Sequence, residues 1–206
     1  MLRKLPIVAV FGQGSAISAE RAELARAVGA LVARLGAHLL TGAGYGVMVA
    51  ASEGFTAVEP RSGLSIGIVP CSRKGAFDTP KRDADGRLYP NPFVEIAIHT
   101  PLPSRPADWR TAPARNHVNV LTAHAIMALP GRVGTRNELD MAAAYRDEQA
   151  RPPDRRRTIL VGPVAEFTAR HRALFVHAAD VASAERHLFG ILAAQAQRAS
   201  HGHAVP

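Results

Sequence analysis

Cysteine is nearly missing from these 206 residues: Cys71 stands alone, which excludes an internal disulfide and any metal site built from clustered thiolates. Long apolar runs are missing too. None approaches the roughly 20 residues that span a bilayer, and no charged-then-apolar leader precedes Pro6, so we expect no membrane partner and a cytoplasmic location. Aromatic residues make up only 5%, thin for stacking single-stranded bases. Lysine is confined to Lys4, Lys74 and Lys81, so arginine carries nearly all of the +8 net charge. Such a balance suits nucleic acid, a phosphorylated small ligand or a basic surface with no partner. The densest basic run, Arg151 to Arg157, is interrupted by two prolines and an aspartate and reads as a solvated connector, which disfavours nucleic acid. His117 and His124 are not spaced with carboxylates as metal ligands, and no metal site is expected.

What is present is a soluble, globular composition, 47% hydrophobic with near-zero mean hydropathy. The chain suits one domain over residues 1–200, with 201–206 as a disordered tail. Strand-length apolar runs alternate with helical patterns. Pro6 to Phe11, Ala37 to Thr41, Leu64 to Pro70, Phe93 to Thr100, Ala125 to Leu129, Thr158 to Gly162 and Ala173 to His177 read as strands. Ser18 to Leu35, Val47 to Ala57, Ala114 to Thr122, Thr135 to about Gln149 and Ser183 to about Arg198 read as helices. Strands apolar on both faces, joined by crossover helices, predict one open parallel α/β sheet covered on both sides. Two long polar loops, Cys71 to Pro92 and Pro101 to Pro113, are expected to project over the same edge as lids or oligomer contacts, with Trp109 as an anchor.

Three of these strands run into glycine turns that open helices, at the edge where open parallel sheets bind ligands. Gly12-Gln13-Gly14-Ser15 lacks the third glycine of the dinucleotide fingerprint, Ile17 standing in its place, and Leu40-Thr41 supplies no acid for a ribose. No G-x-x-x-x-G-K-S/T motif occurs. The third turn, "ALPGRVGTRNELD" at residues 128–140, allows two readings. Thr135-x-x-Glu138 fits a capping box, while Gly131, Gly134 and Thr135 at a helix mouth fit a phosphate cradle with Glu138 free for chemistry.

"TGAGYGVM" (Thr41 to Met48), "PGRVGTRNE" (Pro130 to Glu138), "SIGIVP", and "NPFVEIAIHT" followed by "RNHVNVLTAHAIMALPG" occur in one order and spacing. Together they resemble the Rossmann-like superfamily that includes the LONELY GUY phosphoribohydrolases, molybdenum cofactor carrier proteins and relatives of the DNA-processing protein DprA. The resemblance covers Pro6 to Tyr145 and leans toward the carrier-like branch. It implies a Rossmann-like fold, a homodimer or homotetramer, and a phosphorylated ligand, nucleotide or pterin. By position it implies Arg115 and Glu138 as the pair that acts at a glycosidic bond. Gly131, Arg132, Gly134 and Thr135 match the phosphate-binding turn, and Gly12, Gly14, Ser15, Gly42, Gly44, Gly46 and Asn116 match nucleotide-binding positions. Two departures stand out: Arg132 replaces the second glycine of P-G-G, and Ala43 replaces a glycine of the first turn.

Two functions from different classes follow, and the sequence favours the first over the second. One is hydrolysis of a nucleoside 5′-monophosphate to free base and ribose 5-phosphate, where a carboxylate stabilises an oxocarbenium-like state and an arginine positions the substrate. The other is a non-catalytic carrier of a phosphorylated pterin, with the molybdenum cofactor as cargo, or of a nucleotide; neither reading requires a cofactor for catalysis. Many members of the superfamily once carried a lysine decarboxylase label, which fails here because no lysine lies on a glycine turn to form a Schiff base.

Overall fold

The computed structural model describes residues 4–72, 81–104, 108–147 and 157–201. Seven short strands build one sheet: β1 (Ile7–Phe11), β2 (His38–Thr41), β3 (Ser65–Val69), β4 (Ile96–His99), β5 (Ala125–Ala128), β6 (Thr158–Val161) and β7 (Val176–Ala178). Every pairing is parallel, in the order β4-β3-β2-β1-β5-β6-β7. The expected open, parallel, Rossmann-like α/β sheet is therefore the observed one. The chain lays its first four strands outward from β1, then returns to add β5 on the other side of β1, with Val8 opposite Ala125 and Phe11 opposite Ala128. Loops leaving β1 and β5 part at that reversal, and a crevice opens between them at the carboxyl edge.

Alternate residues of each central strand feed two cores. Val8, Val10, Leu39, Met127 and Ile159 pack under α1 (Ala19–Arg34), α2 (Val47–Thr56) and α6 (Val181–His201). Ala9, Phe11, Leu40, Ile126 and Leu160 face the layer of α3 (Arg115–Thr122) and α4 (Val133–Ala142). Residues such as Phe11, Phe55 and Leu31 are fully buried, each contributing about 2 kcal/mol of transfer free energy.

The structure corrects several expected boundaries. Residues 173–174 end a short helix, α5 (Ala169–Leu174), so the last strand starts at Val176. The strand expected from Phe93 begins at Ile96, because the Asn91 side chain accepts from Phe93 N–H and ties 91–94 into a turn. β4 is an exposed edge rather than a buried strand, with Ile96 and Ile98 open to solvent. α4 opens at Val133, two residues before Thr135, and passes at Ala143–Asp147 into a π-helical turn. Residues 148–156, which hold the expected end of this helix and most of the basic run, and the expected tail at 202–206 lie outside the described residues. Among the described residues no helix is long and apolar enough to cross a membrane, and no cluster of His, Cys, Asp or Glu could hold a metal.

Candidate functional site

A cleft of about 380 Å³ occupies the crevice where β1 and β5 part. Its walls come from the β1–α1 loop (Gly12, Gln13, Gly14, Ser15), Gly42 after β2, the start of α3 (Arg115, Asn116) and the mouth of α4 (Arg132, Gly134, Thr135, Glu138). Segments more than 100 residues apart in sequence thus meet around one space.

The mouth of α4 is built differently from a capping box. Arg132 is the N-cap residue and makes no side-chain cap; Thr135 and Glu138 lie inside the helix, one turn apart and both buried. The capping-box reading is overturned because the cap sits three residues earlier than Thr135. The first amide bonded within the helix belongs to Arg136, which donates to Arg132 O at 3.0 Å. The amides of Val133, Gly134 and Thr135 precede it and carry no hydrogen bond among the described residues, as expected for a first helical turn. Gly131 lets Thr135 and the Gln13 amide close over it; a Cβ there would strike the Thr135 hydroxyl. Arg132 has φ −92, an ordinary backbone that an arginine adopts without strain, and its exposed side chain lies on the rim. The left-handed conformation falls instead on the other departure, Ala43, with φ 61.

Across the cleft, α3 begins with Arg115, 6% exposed. Its guanidinium rests directly on Gly42, where a Cβ would occupy the position of Nη1. Burial holds its pKa below the ordinary arginine value, and its buried Nε has no partner. Glu138, 8% exposed, is pushed up to about 7 by burial, against the pull of the Arg115 charge and the hydrogen bond from Asn119. That bond is long, Asn119 Nδ2 to Glu138 Oε1 at 3.5 Å, and Asn119 Oδ1 is left unpaired. Among the described residues Arg115 and Glu138 form no direct ion pair, yet each shifts the other's titration. A carboxyl near 7 beside a fixed cation can donate or accept a proton at neutral pH.

Of the residues singled out from sequence, Gly12, Gly14, Ser15, Gly42, Asn116, Arg115, Glu138, Arg132, Gly134 and Thr135 line the cleft. Gly44 and Gly46 stand behind it: Gly44 makes room for Tyr89 and Met48, and Gly46 packs onto the carbonyls of Gln13 and Ser15. Trp109 is an anchor of a different kind from the one expected. It is 8% exposed, packed against His117 and Tyr145 within the α3–α4 core. The Ala114 N–H donates to His117 Nδ1 at 3.0 Å, so Nε2 carries the ring hydrogen and donates to Trp109 O at 3.0 Å.

One wall was not foreseen. Residues 81–90 form a small hairpin, bridged between Arg82 and Leu88, which brings Lys81, Arg82, Asp83, Ala84 and Tyr89 to the cleft. The signal in the sequence was Asp85-Gly86, a turn dipeptide, with Gly86 at φ 80. Asn91, 1% exposed, straps the hairpin to the first glycine turn through bonds of 2.9 Å to Gly44 O and to Ala43 O.

The chain is similar over 92% of its length, and 98% of the other, to the molybdenum cofactor binding protein from the phototrophic bacterium Rippkaea orientalis, with 25% identity and a TM-score of 0.66. The molybdenum cofactor carrier protein from Chlamydomonas reinhardtii is 27% identical over 92% of this chain and 99% of that one, with a TM-score of 0.66. DNA processing protein A from Helicobacter pylori shares the fold, at 12% identity over 90% of this chain and 80% of that one and a TM-score of 0.58. No curated protein matches the chain. The family model described as SLOG cluster4 matches residues 5–149, well over half of the sequence, and the chain belongs to that family.

Proposed function

We propose that the protein binds and carries a phosphorylated small molecule, a pterin such as the molybdenum cofactor, without turning it over. The carrying observation is the similarity to a molybdenum cofactor binding protein and a molybdenum cofactor carrier along nearly the whole of this chain. The cleft suits such cargo. Three unpaired amides at the mouth of α4, with Gly134 open in front of them, accept a phosphate, helped by the helix dipole and by Arg132. A self-associated form belongs with this reading, and the exposed Ile96 and Ile98 of β4 offer an apolar edge for it. The test is direct. Incubated with molybdenum cofactor and separated by gel filtration, the protein should retain pterin and molybdenum in equal amounts, read after oxidation to the fluorescent pterin. Retention of neither, while inorganic phosphate still binds, would reject the carrier.

The phosphoribohydrolase reading keeps a place because of one feature, the Glu138 carboxyl near 7 beside Arg115 at the cleft wall. Ionised, it stabilises positive charge at an anomeric carbon; protonated, it donates to a departing base. Chromatography for free base after incubation with nucleoside monophosphates distinguishes the two. Release that falls at least about a hundredfold in Glu138→Gln supports the hydrolase. No release by the wild type leaves the carrier alone.

A further inference from the structure

The hairpin at 81–90 takes no part in either reading, yet it is built to face the cleft. At its base Tyr89 N–H donates to Lys81 O at 2.8 Å, which sets Lys81 and Tyr89 side by side, and both line the cavity. The hairpin's own acids are both paired by Arg87, which holds Asp83 at 2.6 Å and Asp85 at 2.8 Å, although Asp83 also lines the cleft. Half-buried Lys81 has no carboxylate partner among the described residues, and the Tyr89 hydroxyl carries no hydrogen bond among them. Burial raises the phenol's pKa; the Arg115 and Arg87 charges oppose that, and the Asp83 charge adds to it. Arg115, which lines the same space, is itself a buried cation, and its Nε is unpaired.

This group is held in place rather than left to swing. The Tyr45 hydroxyl donates to Leu88 O at 2.9 Å, the Arg87 guanidinium lies 4.1 Å over the Tyr45 ring, and Asn91 bonds the first glycine turn. The cleft therefore has two cationic poles. One is the mouth of α4 with Arg132; the other is Lys81 and Tyr89 with Arg115 beside them. One phosphate satisfies the first pole and leaves Lys81 without an ion pair at the second, where Glu138 faces Arg115 but makes no direct pair with it, and a second anion bound there supplies the missing contacts.

We propose that the ligand carries a second anionic group besides its phosphate, and that Lys81 and Tyr89 of the 81–90 hairpin, with Arg115, hold it. The inference rests on the phosphate site at α4. Molecules with a single phosphate group are then weaker ligands, and the hairpin selects for molecules that carry an anionic group at both ends.

Calorimetric titration of the full chain with ribose 5-phosphate and with ribose 1,5-bisphosphate, at one fixed ionic strength, tests it. The wild type should bind the bisphosphate at least about tenfold tighter, a charge-assisted contact's worth. In Lys81→Ala that ratio should fall to about twofold or less, and Lys81→Arg should restore most of it. If Lys81→Ala does not fold, Tyr89→Phe, which removes only the hydroxyl, should still cut the ratio about threefold. Equal affinities in the wild type, or a preference that survives Lys81→Ala unchanged, overturns the second pole and leaves the phosphate site standing. Failure of both sugars to bind the wild type overturns the phosphate site and the proposal with it.

Discussion

Two of the three glycine turns at the carboxyl edge, those after β2 and β5, look alike in sequence and are filled differently. In the turn after β2, glycine is there to let other groups in: the Arg115 guanidinium over Gly42, the Tyr89 ring beside Gly44, the Gln13 and Ser15 carbonyls against Gly46. In the turn after β5, Gly131 serves the same packing purpose under Thr135, but Gly134 meets nothing within 4 Å and leaves the first-turn amides of α4 open. The first turn is scaffold, shaping the cleft by supporting Arg115 and the hairpin. The second leaves its amides free, and it is the face on which we propose that the phosphate sits. A glycine-rich turn at a sheet edge is thus not by itself a binding loop; the question is what fills the space each missing side chain leaves.

The contrast can be broken most sharply at Gly46. Its φ of 64 and ψ of −125 lie where only glycine is comfortable, and an added Cβ would meet two backbone carbonyls. Gly46→Ala should cost about 3 kcal/mol or more, or prevent folding, as read by denaturant unfolding. A loss below about 1 kcal/mol would show that the scaffold turn is softer than its packing implies.

Glu138 comes next, since it links the α4 turn to the Arg115 that rests on Gly42. Its carboxyl is raised from 4.5 to about 7, so between those values the native state holds more protons than the unfolded chain. Stability should fall as pH rises through that window. The cost is absent below pH 4.5 and reaches about 3 kcal/mol above pH 7. In Glu138→Gln this slope should vanish, and unfolding midpoints measured from pH 4.5 to 8 would show it; parallel profiles for the two proteins would place the carboxyl in water.

Gly134→Ala should separate stability from binding. A methyl in open space on the first helical turn stabilises by about 0.5–1 kcal/mol. Because Cβ bonds lean toward a helix N-terminus, the same methyl crowds the amides, and phosphate affinity should fall about tenfold. A stabilised variant that binds phosphate as well as the wild type would remove the phosphate from α4.

The smallest effect is expected at Ala43. Replacing it by glycine relieves about 1 kcal/mol of left-handed strain and loses about 0.8 kcal/mol of buried methyl against Gly67. The unfolding midpoint should hardly move, and a large drop would mean that this methyl supports the turn.

Much of the site was legible beforehand. The resemblance to the superfamily points to Arg115 and Glu138, and both line the cleft. The capping box misled because Thr-x-x-Glu reads the same whether the helix begins before or after the threonine; only the backbone decides that Arg132 is the cap. Gly42 could be seen as a turn residue but not as the seat of an arginine more than seventy positions later in the chain. Lys81 and Tyr89 carried no motif, and Asn91 belonged to one that said nothing of its bond to the glycine turn. Their role arises from a hairpin folding back onto a turn some forty residues earlier.

The sequence by itself determined the alternation of strands and helices, their parallel arrangement and the edge at which glycine turns gather. Those follow from local periodicity and from the need to bury strands that are apolar on both faces. Tertiary structure decided which glycines face open space and which admit a neighbour. It also decided that a carboxyl and a guanidinium share one dry wall, and that a lysine from a distant loop faces them. Burial, charge coupling and close approach depend on the distances between segments, which residue order along the chain does not encode locally.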